Sequence, residues 1–258
     1  MKKRSNLILV LSSFILSLVL ITTCFASEEI SWYFKKNSEH KQPALDKQLS
    51  FIENYSCYYL DKKHRDNETD KVIYLTFDAG YENGNVEKIL DILKEKQVSA
   101  AFFILSHLIK NNTELVKRMA NEGHLVCNHT MSHKNMAKVK DPSEWEKELH
   151  GLEQLYQEKV GSTMPKLYRP PEGKFSEDNL KILEKMGYKT ILWSFAYADW
   201  DNNKQLSPST AISKLLNGSH NGEILLLHPT SSTNAAILAD FIDEMRNRGY
   251  RFATLNEL

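Results

Sequence analysis

From Lys71 to the C-terminus the chain alternates short apolar runs with longer amphipathic ones, and that alternation leaves few folds open to it. Short buried strands, each separated from the next by a helical crossover, are the pattern of βα units around parallel strands. Val72-Ile73-Tyr74-Leu75-Thr76-Phe77 reads as the first strand, and Val86, Ile89, Leu90 and Leu93 follow at i, i+3, i+4 and i+7 of a helix. Strands are expected again at Ala100–Leu105, His124–Cys127, Leu167–Arg169, Thr190–Phe195, Glu223–His228 and Arg251–Leu255, seven in all. The helices between them carry their own punctuation. One stops at Gly123, one opens on a Ser143/Glu146 capping box, one runs from about Ser176 to Met186, one opens on Ser207-Pro208, and one spans Ala235 to Arg248.

Ahead of this region lie two segments of different character. Met1-Lys2-Lys3-Arg4, an apolar stretch from Leu7 to Ile21 and a small-residue site ending at Ala26 form the layout of a secretory signal peptide, residues 1–26. An uncleaved membrane anchor is the alternative, since the apolar run is borderline for a span, and Thr23 before Cys24 disfavours a lipoprotein. Residues 27–70 are polar and irregular and are read as an N-terminal extension, leaving 71–258 as one catalytic domain. Cleavage removes Lys2, Lys3 and Arg4 and takes the formal charge from 0 to −3, so nothing points to nucleic acid. Cys57 and Cys127 would survive cleavage; an exported chain can pair them, but Cys127 reads equally as a buried thiol in an apolar strand.

Asp78, His129, Arg169, Asp199 and His228 each fall at or just beyond the C-terminal end of an expected strand. In a parallel barrel those ends converge on one face, where sites are built. Amide hydrolysis needs a nucleophilic water, a sink for the oxyanion and an acid for the departing amine, and the set supplies candidates for each. His129 and His133 alone would be an ordinary pair of histidines; together with the other rim residues they suggest a divalent metal site.

Thr76-Phe77-Asp78-Ala79-Gly80, His129-Thr130-Met131-Ser132-His133, Arg169-Pro170-Pro171-Glu172-Gly173, Ala198-Asp199-Trp200 and Leu225-Leu226-Leu227-His228 occur in this order. They resemble the five motifs of the polysaccharide deacetylase family (NodB homology, carbohydrate esterase 4). The resemblance implies a distorted (β/α) barrel of about seven parallel strands and a hydrolase acting on the carbon–nitrogen bond of a linear amide. Residue by residue, it implies His129 and His133 as ligands of a divalent ion, zinc or similar, Asp78 as general base oriented by Arg169, and His228 as general acid tuned by Asp199. It further implies the Glu172 amide as an oxyanion donor, the first available after two prolines. Trp200 and Leu226 would form an apolar slot for the acetyl methyl group. His107, His124, His150 and His220 match no motif.

The chain departs from the usual pattern at Ala79, where the family carries a second aspartate that ligates the metal. Alanine ligates nothing, so Asp78 itself, Glu82 or Asn83 would have to supply the missing oxygen. Lack of that aspartate, the run Thr76–Gly84 and the aromatic Ser31-Trp32-Tyr33-Phe34 resemble the δ-lactam-forming N-acetylmuramic acid deacetylases of spore cortex. That subgroup implies a peptidoglycan glycan strand as partner, deacetylated after a muramoyl amidase has removed the peptide. A chitin-oligosaccharide or xylan deacetylase, or an inactive glycan-binding relative, are the competing readings.

Overall fold

The computed structural model describes residues 28–36, 40–65 and 67–258; the expected signal peptide lies outside them. The strands are β1 (Ile30–Ser31), β2 (Cys57–Tyr58), β3 (Lys71–Ala79), β4 (Ala101–Ile104), β5 (Leu125–Asn128), β6 (Leu167–Tyr168), β7 (Lys174–Phe175), β8 (Lys189–Ile191), β9 (Phe195–Ala196), β10 (Glu223–Leu227) and β11 (Tyr250–Ala253). The helices are α1 (Val86–Glu95), α2 (Ser106–Asn111), α3 (Thr113–Asn121), α4 (Pro142–Val160), α5 (Glu177–Lys185), α6 (Pro208–Gly218) and α7 (Ser232–Asn247). None of the described helices is long and apolar enough to cross a membrane.

Nine strands form one parallel sheet in the order β2-β8-β6-β5-β4-β3-β10-β9, with β11 beside the first half of β3. β8 and β9 lie toward opposite ends of that order, yet only Leu192, Trp193 and Ser194 separate them in the chain. The sheet therefore curls until its two sides meet through one covalent segment, a distorted (β/α) barrel. The strand expected at Thr190–Phe195 is thus two strands with a break, because the carbonyls of Ile191, Leu192 and Trp193 accept from side chains instead of a neighbouring strand. Counting that broken strand once, the seven expected strands are all present, and residues 28–70 add β2 to the sheet edge through Cys57↔Thr190 and Tyr58↔Ile191.

Period-2 alternation divides the strand residues between two cores. Val72, Tyr74, Ala101, Phe103, Cys127, Leu167, Ile191 and Ile224 fill the inside of the curve. Ile73, Leu75, Phe77, Phe102, Ile104, Val126, Leu225 and Leu227 face outward onto Ile89, Leu93, Val116, Leu152, Phe241 and other helical residues. Cys57 and Cys127 are both free and buried, in separate clusters. Helix α4 starts slightly earlier than its Ser143 signal suggests: Asp141 accepts from the Ser143 amide, Pro142 occupies the first turn, and left-handed Gly161 (φ +82°) ends it.

Candidate active site

The inward alternation delivers the chemistry. Two residues beyond Thr76, Cys127, Leu167 and Leu226 come Asp78, His129, Arg169 and His228, so each interior row ends at the rim in a polar side chain. Ala79 takes the other parity and is fully buried in the helix-facing core with Phe77 and Ile104.

Two hydrogen-bonded groups face one another there. In the first, Arg169 Nη1 donates to Asp78 Oδ1 at 2.8 Å. Its Nη2 donates to Thr76 Oγ1 at 2.9 Å and Leu192 O at 3.3 Å, and its Nε to Ile191 O at 3.1 Å. The guanidinium also lies 4.2 Å from the centroid of the Phe103 ring. Burial pushes the Asp78 carboxyl up, but the charge and hydrogen bond of Arg169 and the charge of His228 outweigh it and hold the group below its ordinary value. In the second, Asp199 Oδ1 accepts from His228 Nδ1 at 2.7 Å and Oδ2 from the His228 amide at 2.8 Å. Asn234 Nδ2 donates to the same Oδ2 at 2.6 Å, and Asn234 Oδ1 in turn accepts from the Tyr197 hydroxyl. Burial pulls the His228 imidazole down, and the bond and charge of Asp199 more than reverse this, so its pKa is raised. Exposure separates the roles: the side chains of Asp78 and His228 are 11% and 27% accessible, those of Arg169 and Asp199 0% and 1%.

His129 Nδ1 lies 2.9 Å from Arg169 O, and since a carbonyl only accepts, the proton is on Nδ1 and the lone pair on Nε2. Burial pulls this imidazole down to about 4, so it is neutral. Nε2 then faces Asp78 Oδ2 at 3.6 Å, two acceptors with no proton between them, and the His133 ring lies 5.0 Å from that of His129. A neutral imidazole with its tautomer fixed by a carbonyl, opposite an ionised carboxylate, is a donor pair that fits a divalent cation. Among the described residues no group of three or more His, Cys, Asp or Glu side chains is arranged to enclose one. Of the replacements for the missing aspartate, only Asp78 points there. Glu82 accepts from the Gly84 amide, and Asn83 donates to Thr230 O at 2.8 Å.

Loop geometry around these groups is specialised. Thr130 (φ +75°) and His133 (φ +59°) are left-handed without being glycine, held by Thr130 N to Asn128 Oδ1 and by Ser132 N and Oγ to the buried Glu148. In the turn after Arg169, Pro170 and Pro171 have no amide hydrogen and the Gly173 amide donates to Pro170 O at 3.0 Å. Glu172, itself at φ +58°, supplies the remaining amide, while its side chain pairs with Lys174 at 2.5 Å. Leu226 is buried below the rim, but Trp200, expected beside it in an apolar slot, is 65% exposed. Tyr81 is also exposed, and its hydroxyl accepts from Asn202 Nδ2 at 2.7 Å, which ties the loop after β3 to the loop carrying Trp200. Sequence reasoning missed Thr76, Tyr197 and Asn234 as supports; Thr76 sat in a quoted motif, whereas Asn234 looks like any polar residue in the first turn of a helix.

The family model described as polysaccharide deacetylase matches residues 65–191. The peptidoglycan-N-acetylmuramic acid deacetylase PdaA of Bacillus subtilis is 40% identical over 235 residues, which are 90% of this chain and 86% of that protein. A peptidoglycan-N-acetylglucosamine deacetylase of Bacillus cereus is 32% identical over 231 residues, 86% of this chain and 80% of that protein. The solved structure of Bacillus subtilis PdaA, a family 4 carbohydrate esterase, matches with a TM-score of 0.84 at 38% identity, covering 90% of this chain and 97% of that one. Rim chemistry, fold and sequence agree, and this chain belongs to the polysaccharide deacetylase family, the family 4 carbohydrate esterases.

Proposed function

We propose that this chain is a secreted peptidoglycan deacetylase that hydrolyses the N-acetyl group of muramic acid residues whose lactyl group carries no peptide, on the way to muramic δ-lactam in spore cortex. The observation that carries the chemistry is the pairing of an ionised, accessible Asp78 with a His228 whose proton-holding state is favoured, each fixed from behind by a buried partner. The observation that favours the sugar is the higher identity to the N-acetylmuramic acid deacetylase, 40% against 32% for the N-acetylglucosamine enzyme.

Asp78 takes a proton from the attacking water as its oxygen bonds to the acetyl carbon. The Glu172 amide donates to the oxyanion that forms, and His228 Nε2 protonates the sugar nitrogen as the carbon–nitrogen bond breaks, leaving acetate and a free amine. His129 and His133 would hold a divalent ion, zinc or similar, beside Asp78, and when bound it would polarise the carbonyl and acidify water. Leu226 lines the floor, and exposed Tyr81 and Trp200 offer ring faces to neighbouring sugars, which supports a polymer substrate. The freed amine lies within six-membered reach of the lactyl carboxyl, so lactam closure is entropically easy once a muramoyl amidase has removed the peptide.

Acetate release from peptidoglycan with and without amidase treatment, each after chelation and after adding back single ions, tests this. Release only from amidase-treated material, restored by metal, is the expected result. Equal release from N-acetylglucosamine residues would favour the second reading, which the Bacillus cereus relative keeps in view, and no release from either would sink both.

A further inference from the structure

The N-terminal segment ahead of the barrel makes contacts that bear on the catalytic turn. Trp32, 7% exposed, belongs to a cluster with Leu49, Ile52, Tyr59, Phe175 and Leu192. Its indole Nε1 donates to Trp193 O at 2.8 Å, and its backbone amide donates to Gly173 O at 2.8 Å. The first contact fixes the break between β8 and β9, whose two preceding carbonyls are those that Arg169 binds. The second closes over the turn that presents the Glu172 amide. Gly173 cannot yield space, because it is left-handed (φ +65°) and a Cβ there would lie 2.7 Å from the Trp193 ring and 3.2 Å from Trp32 Cβ. β1 continues the grip, pairing Ile30 with Phe175 and Ser31 with Lys174, and Glu29 accepts from Asn135 Nδ2 at 3.0 Å just past His133.

We propose that Trp32 is a positioning residue for deacetylation: through Trp193 O and Gly173 O it holds the strand break that seats Arg169 and the turn that aims the Glu172 amide. It touches neither substrate nor reacting atoms. The inference rests on the reading that Arg169, Asp78 and Glu172 serve the reaction, and it is indifferent to which acetylated sugar is cleaved.

Trp32→Phe removes the indole donor and keeps the backbone bond and most of the packing. It should lower kcat about tenfold with KM little changed, since a small displacement of an oriented group costs rate more than binding. Leu49→Ala, in the same cluster but with no side-chain hydrogen bond to either loop, should lower Tm and leave kcat unchanged well below that Tm. In an Arg169→Lys background Trp32→Phe should cost nearly nothing more, because both act through the same seat. Amide hydrogen exchange of Leu192 and Ser194, which donate to Tyr58 O and Ile224 O on either side of Trp193, should quicken in Trp32→Phe and not in Leu49→Ala, a readout that needs no substrate. A wild-type kcat in Trp32→Phe, additive losses with Arg169→Lys, or unchanged exchange would each overturn the proposal. Release from chitin oligosaccharides but not from muramic residues would instead overturn the muramic reading and leave this test in force on the working substrate.

Discussion

Asp78 and Glu223 stand at opposite ends of the paired strands β3 and β10, both taken from water by the same barrel, and they are driven in opposite directions. Asp78 at the C-terminal rim has Arg169, His129 and His228 around it and is held low. Glu223 at the other end is fully buried, and burial pushes it up to about 8, which the neighbouring Ser219 hydroxyl and His220 amide offset only in part. The basic group facing it, His220 Nδ1 at 3.8 Å, is itself pulled down to about 4 by burial and so brings no charge. Burial alone neutralises an acid; burial with a fixed cation makes a base that stays ionised. At one end a buried acid is given a cation; at the other Glu223 is not.

The largest expected effect removes the charged end's function. Asp78→Asn and His228→Ala should each lower kcat/KM by about 10²- to 10⁴-fold with the circular dichroism of a folded protein, and Asp78→Asn should also lower Tm because it leaves the buried Arg169 charge unpaired. Only slight losses would mean the acid and base lie elsewhere. Arg169→Met leaves Asp78 unpaired and should destabilise by about 3–5 kcal/mol in denaturant melts, the loss expected when one partner of a buried pair is removed. A smaller loss would mean that the rim is wetter than described.

Glu223→Gln probes the other end. A carboxyl raised from its ordinary value to about 8 binds a proton more tightly folded than unfolded. Its contribution to stability is therefore complete below the ordinary carboxylate range and is lost as pH rises through about 8. Thermal melts at pH 5 and pH 9 should show a fall in wild type that glutamine flattens, worth about 1.4 kcal/mol for every tenfold by which folding tightens the carboxyl's hold on its proton. Parallel falls in both proteins would show that Glu223 is not the group responsible. Asp199→Asn removes what raises His228, so the alkaline limb of kcat/KM should move to lower pH; an unmoved limb would assign it to another group. Smallest of all, Tyr81→Ala should raise KM for long glycan strands about threefold to tenfold, the worth of one aromatic contact, and equal KM values would remove Tyr81 from the glycan path.

Much of the rim was legible because strand periodicity is short-range. A residue two places past Thr76, Cys127, Leu167 or Leu226 points where its predecessor points, so four of the five ordered motifs could be placed without coordinates. What escaped depends on partners remote in sequence. Thr190–Phe195 reads as one apolar strand, and nothing local reveals that Arg169 and Trp32 claim its carbonyls. β2 is two residues long, too short for any periodicity, and so residues 28–70 look irregular although they complete an edge of the sheet. Trp200 illustrates the converse: its motif is plain in the sequence, but a side chain's exposure on a loop is set by the fold around it.

The contact between Trp32 and Trp193 spans 161 positions of chain. A ribosome delivers the N-terminal segment first, yet its strand partner and its hydrogen-bond acceptors emerge only after most of the barrel. Contacts so distant in sequence form late, because the loop they close must be paid for in entropy before it is rewarded. A segment made early is therefore among the last to dock, and the catalytic turn acquires its final shape only after Trp193 has joined the chain.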